Sequence, residues 1–370
     1  MNHCTKVLLM AGGTGGHVFP GLAVAEQLRS QGARVFWLGT RQGLEAKLAP
    51  KAGFAIHFIC IAGLRGKGIV RKTLAPFLIL IAFLQSLWVI LRLRPHIVLG
   101  MGGFVSGPGG VAAWLLHRNL FIHEQNAIPG MTNRLLANLA TGVMEAFPGS
   151  FLTAPYTHLR YPARHTGNPV RHEIASLSRL PQQSHRHDKV LHILVLGGSQ
   201  GAEILNEVVP EAIATLVDPT SIMVRHQTGL QHFMHVRSTY EKLCITVEFV
   251  PFIEDMAEAY KWADLVVSRA GAMTVTELTA VGIASILVPY PFAVDNHQFE
   301  NARFLADAGA AVLIPQSELT AVGLGRLFVE LHAARLRLTA MAEAARSLAI
   351  PDATQRVAMQ CMNIAHVCLR

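Results

Sequence analysis

Three glycine-rich turns hold the residues best able to do chemistry in this chain: Gly12-Gly13-Thr14-Gly15-Gly16-His17, Gly100-Met101-Gly102-Gly103 and Gly197-Gly198-Ser199-Gln200-Gly201, each after an apolar run. A strand that feeds a glycine turn and then a helix binds oxyanions. Glycine lets the backbone approach closely, and the unpaired N–H groups at the helix start, with the positive end of its dipole, stabilise negative oxygens. Phosphate-sized anions are therefore the expected ligands. Neither the first turn nor the third is followed, about 20 residues on, by an acidic residue closing a second strand, so the dinucleotide fingerprint is not met. No Walker lysine is present.

His17 closes the first turn. An imidazole of ordinary pKa, about 6.5, can take a proton at neutral pH, as activation of a sugar hydroxyl requires. The alternative is a histidine that only caps the helix start or contacts phosphate. Within residues 268–277, Ala270, Gly271 and Ala272 open a helix whose first-turn N–H groups can hold a diphosphate, and Glu277 offers a carboxylate to vicinal ribose hydroxyls. An ordinary helix with an acidic first turn is the alternative there. Asp295-Asn296-His297-Gln298 adds amides that can read sugar hydroxyls. Neither G-x-S-x-G nor H-E-x-x-H occurs and no carboxylate cluster has metal-site spacing, which weighs against hydrolase and metalloenzyme chemistry.

The elements that must position these residues read as α/β. Apolar runs at 7–10, 35–38, 56–61, 96–99 and 120–123 alternate with helical segments, the pattern of a doubly wound parallel sheet. After a polar stretch rich in proline and histidine at 178–189, the same grammar restarts at 190–196 and continues with strands at 223–227, 246–249, 265–267, 285–288 and 311–313. With 370 residues, two domains are expected, and a last helix over 352–368 can return to brace the first. A net charge of +8 suits an anionic partner, whether phosphorylated substrate, anionic lipid or nucleic acid; aromatics at 7% and the lack of a basic stripe disfavour nucleic acid. The five cysteines are odd in number and lack C-x-x-C spacing, so reduced thiols are expected, with no disulfide framework or zinc site. No apolar signal core precedes the first strand. Residues 73–91, flanked by Arg71, Lys72, Arg92 and Arg94, approach the length of a spanning helix, but Pro76, Gln85 and Ser86 interrupt them and a strand follows at once. A helix with one exposed apolar face is expected, the alternative being a wholly buried crossover.

The strings GGTGGHVFPGLAVA, GLRGKG, GMGGFVSGPGG, HEQN, GNPVR, GGSQGA, SRAGAMTVTE and IPDAT occur in order over nearly the whole chain and resemble the MurG family of glycosyltransferases, glycosyltransferase family 28. The resemblance implies a GT-B fold: two Rossmann-like domains facing across a cleft, with an acceptor and membrane-associating domain at 1–166, a UDP-sugar domain at 167–350 and a returning helix at 351–370. It implies an inverting transfer of N-acetylglucosamine from UDP-N-acetylglucosamine to the C4 hydroxyl of the muramyl unit of lipid I, giving the β-1,4-linked disaccharide of lipid II in peptidoglycan synthesis. No cofactor or metal is implied. By motif position, Thr14, Gly15, Gly16, Asn126, Arg171, Ser199, Ile253, Ala272, Met273, Thr274, Val275, Thr276, Glu277 and Gln298 bind the donor. Gly12, Gly13, Gly102 and Gly103 form acceptor-side loops, and His17 is the candidate base. Arg71, Lys72, Leu74, Phe77, Leu78, Ile81, Phe83, Leu84 and Trp88 associate with anionic lipids at the cytoplasmic face of the bacterial inner membrane, where other cell-wall and division proteins are further partners. The chain departs from many members at His297, where they carry a second glutamine. Rival readings are a diacylglycerol glycosyltransferase, a UDP-N-acetylglucosamine epimerase of the same architecture, and a non-catalytic basic adaptor.

Overall fold

The computed structural model describes residues 4–61, 69–152, 159–179, 190–198 and 201–368, without the side chains of 69–74, 178–179 and 364–368. The chain divides into two compact units, Met1–Arg171 with Asp352–Arg370, and His172–Pro351. Residues 167–171 belong with the first unit because Asn168 Nδ2 donates to Gln125 O at 2.9 Å and the Arg171 guanidinium lies over the Phe19 ring at 5.3 Å.

The first unit runs β1 (Lys6–Met10), α1 (Gly15–Ser30), β2 (Arg34–Gly39), α2 (Glu45–Lys51), β3 (Ala55–Phe58), α3 (Ile69–Leu93), β4 (Ile97–Gly100), α4 (Ser106–Leu115), β5 (Asn119–Glu124), α5 (Met131–Leu136), β6 (Gly142–Glu145) and β7 (Arg164–His165). Its sheet has the order β3-β2-β1-β4-β5-β6-β7, and every described pairing is parallel, with Val7 opposite Val35 on one side and Ile97 on the other. Both faces are covered, so the inner strands are continuous apolar runs rather than alternating ones. Val24 and Leu28 of α1 pack on one face; Val89 and Ile90 of α3, with Ala112 and Ala113 of α4 and Leu136 of α5, pack on the other. α1 begins at Gly15, directly after the glycine turn, and carries Pro20 inside it.

The second unit runs α6 (His172–Ala175), β8 (Leu191–Leu196), α7 (Glu203–Ala214), β9 (Ile222–Gln227), α8 (Phe233–Lys242), β10 (Glu248–Val250), α9 (Met256–Trp262), β11 (Leu265–Ser268), α10 (Ala272–Val281), β12 (Ala284–Leu287), α11 (His297–Ala306), β13 (Ala311–Leu313), α12 (Ala321–Ala333) and α13 (Arg335–Ser347). Its order, β10-β9-β8-β11-β12-β13, repeats the central arrangement of the first sheet. The final helix α14 (Ala353–Cys368) returns to the first unit, where Val357, Ala358 and Cys361 join the core beneath α1. Complete burial raises the Cys361 thiol to about 12, so it stays a packed, unreactive group.

In each sheet the winding reverses beside the first strand, between β1 and β4 and between β8 and β11. Crossovers leave such a pair in opposite directions, and the carboxyl ends of its strands open a crevice where ligands bind. All three glycine turns, and the start of α10, lie at these two points.

Candidate active site

In the first unit, the turn after β1 carries Gly12 and Gly13 into α1, whose first turn presents the half-buried His17. A fully buried carboxylate, Glu45, holds this turn. It accepts from Gly13 N–H at 3.0 Å, from Thr40 N–H at 2.8 Å and from Thr40 Oγ1 at 2.7 Å. The turn after β4 packs against it so closely that a Cβ on Gly103, where φ is +81°, would lie 2.3 Å from Gly12 O. Only glycine is tolerated at such a contact and such a φ. Thr14, Gly15, Gly16, Gly102 and Arg171 are gathered around the same point, Arg171 through Phe19 of α1.

Behind His17 the polar groups at and just after the end of β5 form a buried row. His17 Nδ1 lies 3.1 Å from Gln125 Oε1, Gln125 Nε2 lies 3.1 Å from His123 Nδ1, and His123 Nε2 lies 2.9 Å from Gly167 O. Burial lowers the His123 pKa to about 4 against the opposing pull of the Gly167 hydrogen bond and the Glu124 charge, so its ring is neutral. Glu124 accepts from Asn126 N–H at 2.9 Å, Asn126 Nδ2 at 3.1 Å, Gly130 N–H at 2.9 Å and Asn133 Nδ2 at 2.9 Å. Asn126 is thus presented at the end of β5 by a buried acid that the sequence did not single out.

In the second unit, Gln227 at the end of β9 does for its glycine turn what Glu45 does for the first, with a neutral amide. Its Nε2 donates to Gly198 O at 3.0 Å, and its Oε1 accepts from Ile253 N–H at 3.0 Å. One buried side chain therefore joins the turn after β8 to the loop after β10. Ser199, expected to hold diphosphate, lies outside the described residues.

α10 begins after Gly271, and no side chain caps it. Its first-turn N–H groups therefore keep the electropositive character that suits a phosphate. Met273, Thr274, Thr276 and Glu277 are half-buried, while Ala272 and Val275 point into the core and offer a ligand only their backbone. Thr276 Oγ1 donates to Ala272 O at 2.8 Å, and the Glu277 carboxylate accepts from Tyr260 O–H at 3.0 Å. Arg269, at the mouth of β11, is fixed by Val288 O and Pro289 O at 3.1 Å and by Gln316 Oε1 at 2.8 Å; burial lowers its pKa from the ordinary arginine value.

The loop before α11 places Asp295 and Asn296 at φ of +52° and +56°, a conformation that non-glycine residues adopt where the surroundings impose it. It brings Gln298 back so that its Oε1 accepts from Tyr290 N–H at 3.0 Å, while His297 Nδ1 donates to Val294 O at 2.7 Å within its own turn. Gln298 is therefore aimed by the loop, and His297 closes it. Among the described residues no group of three or more His, Cys, Asp or Glu side chains is placed to hold a metal ion.

A second exposed apolar surface lies on α3. Residues Ala75–Leu93 are long and apolar enough to cross a membrane by length and composition, with mean hydropathy 2.0. Yet Ala82, Val89 and Ile90 are in the core, and Phe77 (66% exposed), Ile79, Leu80, Ile81, Leu84, Trp88 (56%) and Leu91 form the outer face. Leu78 and Phe83, expected on that face, are half-buried, Phe83 against the core; the side chains of Arg71, Lys72 and Leu74 lie outside the described ones. The neighbouring helices extend the apolar surface with Val111, Trp114 and Leu115 of α4 and Met131 and Leu135 of α5. Arg92 lies over the Trp88 ring at 5.1 Å.

Residues 7–145 match the family model for the glycosyltransferase family 28 N-terminal domain, and residues 192–357 match that for the family's C-terminal domain. A protein of Nitrosococcus oceani, named as a UDP-N-acetylglucosamine--N-acetylmuramyl-(pentapeptide) pyrophosphoryl-undecaprenol N-acetylglucosamine transferase, is 52% identical over 360 residues, covering 97% of this chain and 99% of that relative. Its namesake in Methylococcus capsulatus is 50% identical over 361 residues, with 97% and 99% covered. Among solved structures, MurG of Acinetobacter baumannii is similar with a TM-score of 0.80 at 41% identity, over 97% of this chain and 99% of that one.

Proposed function

The chain belongs to glycosyltransferase family 28, and from that premise we propose that it transfers N-acetylglucosamine from UDP-N-acetylglucosamine to the muramyl-pentapeptide pyrophosphoryl-undecaprenol acceptor, forming lipid II. The observation that carries this reading is identity of about half the residues over 97% of the chain with relatives whose names state that reaction.

The residues divide the work between the units. In the second unit, the Ile253 carbonyl meets the uracil edge, Glu277 accepts from ribose hydroxyls, and the N–H groups of the Gly197–Gly201 turn and of α10, with Ser199, hold the diphosphate. Gln298 and Asn126 bind the sugar, and Arg171 adds positive charge toward the diphosphate. In the first unit, His17 takes the proton of the acceptor's C4 hydroxyl as that oxygen attacks the anomeric carbon. The bond from that carbon to the β-phosphate oxygen breaks, its electron pair leaves with UDP, and a single displacement inverts the centre. Fixed N–H groups stabilise the charge on the departing diphosphate where other transferases employ a metal.

Membrane attachment belongs to the same proposal. α3 is packed on the sheet like any crossover helix, so its apolar outer face suits insertion into one leaflet, with Arg92 and Arg94 beside anionic headgroups. We place this contact at the cytoplasmic face of the inner membrane, peripherally. A transfer assay with UDP-N-acetylglucosamine, comparing lipid I with a diacylglycerol acceptor and with no acceptor, tests the activity. Transfer to lipid I supports the reading; transfer to diacylglycerol alone, or release of free sugar without transfer, overturns it.

A further inference from the structure

The row of buried groups behind His17 fixes more than its position. Gln125 Nε2 lies 3.1 Å from His123 Nδ1 and 3.3 Å from the His123 carbonyl oxygen. A carbonyl oxygen only accepts, so this end of the amide is the NH2 and the Oε1 end faces His17. His123 Nε2 faces another carbonyl, Gly167 O, at 2.9 Å, and must carry hydrogen. Because burial keeps this ring neutral, its Nδ1 is a lone pair, which matches the second Gln125 hydrogen. The two carbonyls thus orient the whole row from opposite ends. Oε1 of Gln125, 3.1 Å from His17 Nδ1, can only accept, so His17 Nδ1 must donate.

From this geometry we infer that Gln125 and His123 are positioning residues that set the His17 tautomer, keeping hydrogen on Nδ1 and the lone pair on Nε2, the nitrogen left to meet the acceptor hydroxyl. This rests on the reading of His17 as the base. The contact is built for: Gly102, at φ +94°, lies where a Cβ would come 2.6 Å from His17 Nδ1 and 3.3 Å from Gln125 Oε1. Asn168, buried, holds the Gln125 backbone through its carbonyl at 2.9 Å. The charged and titratable groups around the histidine are His123 and Glu124 of β5, Glu45 of α2 acting through Gly13, and Arg171 over Phe19.

Two measurements on the full chain decide the matter. In 15N-histidine-labelled protein above pH 7.5, with the His17 signals assigned by their loss in His17→Ala, the expected neutral form carries hydrogen on Nδ1; hydrogen on Nε2 overturns the inference without needing any variant at Gln125. In Gln125→Met, loss of the acceptor disfavours the imidazolium. The acid limb of the kcat/KM profile for lipid I should then move to lower pH, and kcat should fall about tenfold or more, with KM for UDP-N-acetylglucosamine unchanged. A lowered kcat with an unmoved limb overturns the positioning role and indicates packing alone. Wild-type turnover in His17→Ala sinks the base assignment itself, whichever tautomer is seen.

Discussion

The two units share a strand order and a glycine turn at the same place, yet they secure those turns with opposite chemistry. Among its described residues the first buries three carboxylates, Glu45, Glu124 and Glu145, each accepting backbone N–H groups of a loop. The second, among its described residues, buries none, and uses the amides of Gln227, Asn206 and Asn301 instead. Glu45 also consumes the Gly13 N–H, one of the donors that makes the first turn read as a phosphate cradle. A unit that, in the proposed reaction, holds a diphosphate gains from keeping carboxylates away from its anion loop, since like charges brought together cost several kcal/mol. A unit that, in the proposed reaction, activates a hydroxyl is not so constrained. Two turns of similar sequence are thus secured by different side chains.

Substitutions can break this contrast, beginning with the largest effect. His17→Ala should lower kcat by about 10²- to 10⁴-fold while UDP affinity, measured by titration calorimetry, stays within about twofold of wild type. A matched loss of UDP affinity would show that His17 serves the donor rather than the acceptor hydroxyl. Acid should affect both units alike. Burial lowers His123 to about 4 and His226 to about 3, so the unfolded chain binds these protons first as pH falls. The stability that the two neutral rings contribute is full above about pH 6.5 and is lost as pH falls, each ring costing about 1.4 kcal/mol per pH unit until its folded-state value is reached, about 4 for His123 and about 3 for His226. Denaturant midpoints followed from pH 7.5 to 4.5 should fall, and His226→Phe should flatten that slope.

Gln227→Glu places a carboxylate in the second unit's turn and should weaken UDP binding about hundredfold, the value of a few kcal/mol of repulsion. The reciprocal Glu45→Gln should leave UDP binding unchanged and destabilise the protein by about 1–3 kcal/mol in a denaturant titration, because the new NH2 cannot accept from every donor Glu45 now serves. If the pair exchanged effects, the division of labour would be wrong. Smallest of all, Trp88→Ser should reduce flotation with phosphatidylglycerol vesicles severalfold and leave transfer to a detergent-dispersed acceptor intact.

Much of this is legible in the chain. Apolar runs such as Val7–Met10 mark parallel strands because both sheet faces are covered, and the glycine turns mark the crevices because ligand and backbone must meet there. β6 and β7 are not legible: four and two residues carry no period to recognise. The supporting residues are least visible. Glu45 lies 32 positions from the Gly13 it binds, and Gln125 lies 108 from His17. A lone acid or amide in sequence looks like surface, and only the fold shows which backbone it serves. The family resemblance implies which residues face a ligand but not these partners behind them.

The return of α14 has a consequence for biosynthesis. The wall that Val357, Ala358 and Cys361 complete belongs to the unit translated first, but those residues leave the ribosome only after the whole of the other unit. At about 5–20 residues per second, the earlier unit waits on the order of ten seconds or more with an apolar groove open to water. The nascent chain is therefore a natural client for a chaperone, and losing the codons for that last helix would injure the half of the enzyme made earliest.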